Sequence, residues 1–235
     1  MKHTLLIKDW LSSFLSLLFP RCCVVCGRPL AKGEECICTV CNINLPRTNY
    51  HLRKDNPVER LFWGQIPLER ATSFFFYEKG SDFRLILHRL KYGGQKEIGA
   101  IMGRYMAAEL LSSNFFQGID VIIPIPLHKK KQQIRGYNQS EWIARGIAAV
   151  TGIPIDTESI LRKKNTETQT RKSVFERRDN VEGIFELQHP ETLAGKHILI
   201  VDDVLTTGST TLACASCLVN VEGIRISILT LAMVE

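Results

Sequence analysis

Two adjacent carboxylates, Asp202 and Asp203, follow four apolar residues, Ile198 to Val201, and precede a run of small and hydroxylated residues, Thr206, Thr207, Gly208, Ser209 and Thr210. An unbroken apolar run of this length suits a strand covered on both faces, as in a parallel sheet. The aspartates then fall at its carboxyl end, where open α/β sheets bind their ligands. Carboxylates there accept hydrogen bonds from a vicinal diol. The loop behind them can turn backbone N–H groups and hydroxyls toward a phosphate, and Gly208 supplies the backbone freedom for it. A helix expected from Thr211 turns its positive end to the same anion. These residue types, in this order, describe a sugar-phosphate site.

Three other readings account for fewer of the same residues. A core strand running into a capped helix explains Ile198 to Val201 and Ser209 but leaves both aspartates and the paired threonines without a role. A P-loop requires G-x-x-x-x-G-K-[ST], which occurs nowhere in the chain. A phosphoacceptor receiver domain carries its paired acids by the first strand of a domain of on the order of 100 residues. The 235-residue sequence leaves too little after Asp203 for that.

A second constellation is made of thiols. Cys23-Val-Val-Cys26-Gly27 and Cys38-Thr-Val-Cys41 are two C-x-x-C pairs, with Gly33-Glu34-Glu35 between them as the tip of a hairpin. Each tight turn aims two thiolates at one ion, and four complete the tetrahedron of a structural Zn²⁺ with no open position. A segment this short has little core of its own, so the metal is expected to supply much of its folding energy. The competing reading is a set of reduced or redox-active thiols. Cys22 and Cys36 offer other pairings, and the repeated two-residue spacer selects Cys23, Cys26, Cys38 and Cys41. Cys214 and Cys217 have no matching pair nearby and read as small apolar residues on one helix face.

The elements that must position these groups follow from periodicity. Thr72 to Tyr77 reads as a strand, Phe83 to Leu90 and Ile98 to Phe116 as helices, and Val121 to Ile125 as the next strand. Gln139 to Val150 reads as a helix that stops before Pro154, followed later by strand Ile198 to Val201, helix Leu212 to Leu218 and strand Ile224 to Leu231. Strands alternating with helices predict an α/β fold with a mainly parallel sheet flanked by helices. The expected organisation is an amphipathic helix over 1–19, a four-cysteine zinc ribbon over 20–50, a linker over 51–69 and the α/β domain over 70–235.

The N-terminal run is interrupted by Lys8 and Asp9, lacks a cleavage signature and is too short to span a bilayer. Trp10, Phe14, Leu17 and Leu18 give it one apolar stripe. Packing on its own protein or a sister subunit is favoured over membrane contact, because the segment has no basic face. Hydrophobic content of 45% excludes a disordered chain. Most of the eight cysteines cluster between Cys22 and Cys41, so a reducing, cytoplasmic location is expected. The net charge of +6 suits an anionic partner, either a phosphorylated metabolite or nucleic acid.

Positive charge gathers in three places. Lys129, Lys130, Lys131 and Arg135 follow Pro124-Ile-Pro126, where they could hold a pyrophosphate or a nucleic-acid backbone. The alternative for the three lysines is a solvated loop. Lys91-Tyr92-Gly93-Gly94 reads as a basic last helical turn with a glycine stop. The stretch from Arg162 to Asn180 is rich in Lys and Arg without apolar periodicity, and reads as a flap between strands.

Val201 to Thr210 resembles the ribose-phosphate loop of type I phosphoribosyltransferases. Together with Asp120-Val-Ile-Ile-Pro-Ile-Pro-Leu-His128, Arg135-Gly-Tyr-Asn-Gln139, Gln169, Glu176-Arg-Arg-Asp-Asn180 and Phe185, it makes the chain similar to the ComF family (ComFC and GntX-like proteins) over residues 20–235. The resemblance implies phosphoribosyl diphosphate as substrate, with Mg²⁺ held largely by the substrate's own oxygens. It places Asp202 and Asp203 on the ribose 2- and 3-hydroxyls, and Thr206, Thr207, Gly208, Ser209 and Thr210 on the 5-phosphate. It also implies Lys91 and Arg135 near the pyrophosphate, and a catalytic flap in which Arg177 and Arg178 close over that leaving group. Asn138 and Gln139 would cap the following helix. The sequence departs from the family pattern at Arg171 and Lys172, where a small and an apolar residue are common.

The activity expected is therefore phosphoribosyl transfer with release of pyrophosphate. No residue identifies itself as a general base, and the acceptor is not named by the sequence. A second expectation, also implied by the resemblance, is a non-catalytic accessory protein of DNA uptake or recombination that binds single-stranded DNA or DNA-uptake proteins with the same fold. Against it, no base-stacking aromatics interleave the basic loops.

Overall fold

The structure is a computed structural model describing residues 20–163 and 183–234. Its strands are β1 (Leu68–Tyr77), β2 (Val121–Pro124), β3 (Ile160–Arg162), β4 (Phe185–Leu187), β5 (His197–Leu205) and β6 (Arg225–Val234). Its α-helices are α1 (Thr39–Ile43), α2 (Pro57–Arg60), α3 (Arg84–Tyr92), α4 (Glu97–Leu110), α5 (Lys129–Arg135), α6 (Gln139–Thr151) and α7 (Ser209–Ser216). Four strands form one parallel sheet in the order β1-β6-β5-β2, and β3 pairs antiparallel with β4 outside it. Both faces of the sheet are covered, which is why Ile198 to Val201 are all fully buried.

The predicted α/β architecture holds, while several boundaries move for identifiable reasons. Strand β5 does not stop at Val201: Asp202 pairs with Thr230, and Val204 and Leu205 pair with Ala232 and Met233 of β6. Both aspartates therefore lie inside a paired strand. The loop shrinks to Thr206–Gly208, and α7 starts at Ser209, ahead of the expected Leu212. The helix expected to reach Phe116 ends at Leu110, followed by a 3₁₀ turn and Asn114 in the left-handed region at φ 58°. Phe115 and Phe116 then turn back into the core.

The stretch expected as a linker is folded onto the sheet. Asn56 caps α2 in a reciprocal arrangement with Glu59, Pro57 takes the first helical position, and the Asn56 side-chain amide donates to the Ala71 carbonyl at 2.9 Å. Val58 and Phe62, one helical turn apart, are fully buried. The cysteine-rich segment is likewise part of the molecule's main core, since Cys23, Val24, Ile37 and Leu45 share one apolar cluster with Phe74, Phe75, Leu87 and Met106. Its outgoing chain runs antiparallel beside β1, with the Thr48 N–H donating to Phe74 O at 3.1 Å and the Phe76 N–H to Pro46 O at 2.8 Å. Ion pairs Arg47–Glu109, at 2.6 Å, and Arg104–Glu35 fix it to α4.

Helices α4 and α6 cross at two glycines. A Cβ on Gly146 would stand 2.1 Å from the Ala100 carbonyl oxygen, and one on Gly103 would stand 2.3 Å from that of Ile143. This close crossing sets where the amino end of α6 reaches the edge of the sheet. Among the described residues, no helix is long and apolar enough to cross a membrane.

Candidate functional site

Asp202 and Asp203 sit at the carboxyl end of the parallel sheet, held by different partners. The Asp203 carboxylate pairs with Lys91 Nζ at 3.1 Å, both side chains being mostly buried. Lys91 comes from the last turn of α3, where a cation complements the helix dipole and Gly93 ends the helix. Asp202 Oδ1 accepts from Ser140 Oγ at 3.0 Å and from the backbone N–H of Asp203 at 2.8 Å. Ser140 is set by the start of α6: Asn138 Oδ1 accepts its N–H at 3.2 Å, and Asn138 Nδ2 donates to Ile125 O at 3.0 Å. Burial, and then the charge of Asp203, push the Asp202 carboxyl up to about 7 against the pull of its hydrogen bonds and of Lys91. Near neutrality the pair thus offers one ion-paired carboxylate and one carboxyl that readily holds a proton.

Beyond them, Gly208 adopts φ +75° and caps α7. Few other residues tolerate that backbone, and a Cβ there would also stand 3.3 Å from the Phe62 ring. The first-turn N–H groups of α7 have no intrahelical acceptor and face the loop with the positive end of the dipole. Thr207 Oγ1 and Ser209 Oγ lie 2.8 Å apart, and Thr206, Thr207 and Thr210 are exposed. Amides and hydroxyls presented this way suit a phosphate.

Lys129, Lys130 and Lys131, read from sequence as either anion-binding or a solvated loop, form the first turn of α5, capped by His128, whose Nδ1 accepts the Lys130 N–H at 3.2 Å. Lys129 and Lys130 are exposed. The Lys131 ammonium is pushed down by burial and then by the charges of Arg162, Arg135 and Lys91. Arg135 donates to Gln139 Oε1 at 2.6 Å and lies 5.5 Å over the Tyr92 ring. Tyr137 Oη donates to Leu90 O at 2.6 Å, tying this turn to the end of α3 that carries Lys91. Arg162, on β3, stacks 5.2 Å from the Phe185 ring, and the charge of Asp202 opposes the burial that lowers its pKa.

Sequence reasoning missed Ser140, Tyr92 and Arg162 as members of this site. Ser140 had a weak signal, as a hydroxyl one position past the predicted cap. Tyr92 stood beside Lys91 and Arg162 opened the basic stretch, but their partners Arg135 and Phe185 come from distant segments. The expected flap begins inside β3, at Arg162, while Arg177 and Arg178, with Gln169, Arg171, Lys172 and the rest of that stretch from 164 on, lie outside the described residues, as does the expected helix over 1–19.

In the second constellation the sulfurs of Cys23, Cys26, Cys38 and Cys41 all lie within 4.8 Å of one another. A tetrahedral ion bound to sulfur at about 2.3 Å spaces its ligands by about 3.8 Å, and Cys26 Sγ and Cys38 Sγ stand 3.7 Å apart. The donor set therefore fits a metal ion. The N–H of Cys38 donates to Cys23 Sγ at 3.3 Å and that of Cys41 to Cys38 Sγ at 3.5 Å. The backbone N–H of Arg28 is the main cause that brings the Cys26 thiol down to about 6. Between the pairs, the Glu34 carboxylate accepts from the N–H groups of Ala31 and Thr39 at 2.8 and 2.6 Å, closing the hairpin tip. Cys22 and Cys36 stand outside the cluster, and burial pushes the Cys36 thiol up to about 12. Cys214 is fully buried and Cys217 half-buried on the α7 side, as packing residues would be.

Residues 139–234 match the family model described as the phosphoribosyl transferase domain. The chain is 32% identical over 209 residues to the DNA utilization protein YhgH of Escherichia coli O157:H7, covering 83% of this chain and 88% of that protein. It is 31% identical over 130 residues to the competence protein F of Haemophilus influenzae, covering 54% of this chain and 57% of the other. It is also 26% identical over 216 residues to the competence protein ComFC of Bacillus subtilis, covering 90% and 83% respectively.

Proposed function

Because the chain belongs to the ComF family and carries a phosphoribosyltransferase domain, we propose that it binds phosphoribosyl diphosphate with Mg²⁺ and transfers the phosphoribosyl group to an acceptor, in a role connected with DNA utilisation or competence. The observation that carries this reading is the pairing of Asp202 and Asp203 at the sheet's carboxyl end with the anion-binding turn at Gly208. The acids take the ribose 2- and 3-hydroxyls. Thr206, Thr207, Gly208, Ser209 and Thr210 take the 5-phosphate. In the transfer, the bond from the anomeric carbon to pyrophosphate breaks with its electron pair leaving on pyrophosphate, a bond forms to the acceptor, and the acceptor's proton passes to solvent. Lys91, Lys131 and Arg135 offset the charge that develops on the leaving group. Asp202, Asp203 and the substrate's oxygens suit Mg²⁺, which supplies further charge neutralisation when bound.

In the same reading, Cys23, Cys26, Cys38 and Cys41 hold a structural Zn²⁺ within residues 20–50, beside a transferase domain over 70–235. The working compartment is the cytoplasm.

One observation favours a second reading, in which the fold binds single-stranded DNA without catalysis. Tyr92 is 69% exposed and stacked by Arg135, from the same helix that carries the exposed Lys129 and Lys130. An aromatic platform set among cations is how sequence-tolerant single-strand binding is achieved. It was invisible in the basic loop itself, because the aromatic residue arrives from α3.

Calorimetry with phosphoribosyl diphosphate, with and without Mg²⁺, alongside titration with a single-stranded oligonucleotide, tests both readings. Asp202→Asn together with Asp203→Asn is expected to weaken the phosphoribosyl ligand by more than ~1.5 kcal/mol, since two hydrogen bonds to charged groups are lost. Unchanged affinity in that variant would place any such ligand elsewhere and leave the DNA reading standing.

A further inference from the structure

Both hydrogen bonds that the Asp202 carboxyl receives from described residues fall on one oxygen. Oδ1 accepts from Ser140 Oγ at 3.0 Å and from the Asp203 N–H at 2.8 Å. Among the described residues no donor is bonded to Oδ2, so that oxygen is the one left for a ligand. Of the two donors, only Ser140 reaches Asp202 from another element: its hydroxyl comes from the first turn of α6, 62 positions away. The cations nearby do not take this role, since Lys91 is paired with Asp203 at 3.1 Å and Arg162 acts on Asp202 through its charge.

Ser140 is held by a closed circuit of hydrogen bonds that begins and ends on β5. The Ile125 N–H donates to Val201 O at 2.9 Å. Ile125 O accepts from Asn138 Nδ2 at 3.0 Å, and Asn138 Oδ1 accepts the Ser140 N–H at 3.2 Å. Ser140 Oγ then donates to Asp202, the residue after Val201. Ile125, Asn138 and Ser140 are all buried, so the bonds are strong and water competes little for them. The close crossing at Gly103 and Gly146 leaves α6 no room to slide. Asn138 already caps the helix, which frees the Ser140 hydroxyl from that duty.

The terminal torsion of an aspartate is broad and sets no orientation of the carboxylate by itself, so an outside donor must do so. We propose that Ser140 is a positioning residue for substrate binding, whose hydroxyl fixes the Asp202 carboxyl so that Oδ2 is presented to a ribose hydroxyl. This inference rests on the ribose-phosphate reading of the site and goes beyond it by assigning the residue that orients one of its two acids. Asp203 is oriented separately by Lys91, so the diol meets two carboxylates set by different helices, α6 and α3. Ser140 acts through Asp202 and makes no contact with the substrate itself.

The experiment compares, by calorimetry, ribose 5-phosphate with tetrahydrofurfuryl phosphate, which keeps the phosphate and the ring but carries no hydroxyls. The full chain is used as wild type, Ser140→Ala, Ser140→Thr, Asp202→Ala and the double variant Ser140→Ala with Asp202→Ala. Ser140→Ala is expected to weaken ribose 5-phosphate roughly five- to tenfold, the worth of one hydrogen bond, and to leave tetrahydrofurfuryl phosphate unchanged. Ser140→Thr keeps the hydroxyl and is expected to retain most of the wild-type affinity. Once Asp202→Ala is in place, adding Ser140→Ala is expected to cost nothing further, because the two residues act as one unit. Unchanged ribose 5-phosphate affinity in Ser140→Ala, an equal loss for both ligands, a Thr variant as weak as the Ala variant, or additive losses in the double variant each overturns the inference while the ribose-phosphate reading stands. A wild type that fails to bind ribose 5-phosphate, or binds it no more tightly than tetrahydrofurfuryl phosphate, overturns both.

Discussion

Asp202→Asn should make the ligand-free protein more stable, and by an amount that depends on pH. Asp202 is held at about 7 against an ordinary value of 3.8, because burial and Asp203 both oppose its ionisation. Between those values the folded chain keeps a proton that the unfolded chain has lost. Stability contributed by the protonated carboxyl is therefore fully present below 3.8 and is lost as pH rises through about 7. At about 1.4 kcal/mol per unit, the full difference is on the order of 4 kcal/mol above neutrality. The Asn variant carries no charge, yet its side-chain oxygen can still accept from Ser140 and from the Asp203 N–H, and the Lys91–Asp203 pair is untouched. We expect the variant to match the wild type near pH 4 and to gain about 2–4 kcal/mol near pH 8, which for a chain of this size raises the melting temperature by about 5 °C or more. Thermal melts of both proteins across that range, with zinc and reductant held constant, measure the difference directly. A difference independent of pH, or a variant less stable than the wild type near pH 8, would refute the reasoning that the site stores unfavourable charge for its ligand.

The freshly purified, reduced protein should contain one zinc per chain by elemental analysis. Cys23→Ser should lose it, whereas Cys214→Ser should retain it, since Cys214 lies outside the cluster. Because Ile37 and Leu45 share a core with Phe74 and Phe75, zinc loss should lower the main melting transition and not merely fray the ribbon; an unchanged main transition would count against that coupling. Gly208→Ala should destabilise the fold by about 1–2 kcal/mol through the positive φ and the displaced Phe62 ring. The same variant should lose most affinity for phosphoribosyl diphosphate, and full affinity in calorimetry would move the phosphate away from this turn.

What the sequence determined by itself lies within short stretches of chain. Ile198 to Val201 announced a strand covered on both faces, the two C-x-x-C pairs announced a four-thiol cluster, and the run from Gln139 to Val150 announced α6. Each depends on residues a few positions apart, whose chemistry holds in nearly any surroundings. What only the tertiary structure decided was how those stretches meet. Whether Asp202 and Asp203 belonged to a loop or a strand depended on β6 being long enough to pair with them through Met233. The packing of 51–69 depended on Phe62 finding Gly208 and on Asn56 reaching the Ala71 carbonyl. Lys91 became the partner of Asp203, and Ser140 that of Asp202 from 62 positions away, because α3 and α6 deliver their ends to the same edge of the sheet. Strand ends, ion pairs and burial are settled by partners that local composition does not specify, and so the raised carboxyl at Asp202 emerged only once the chain was folded.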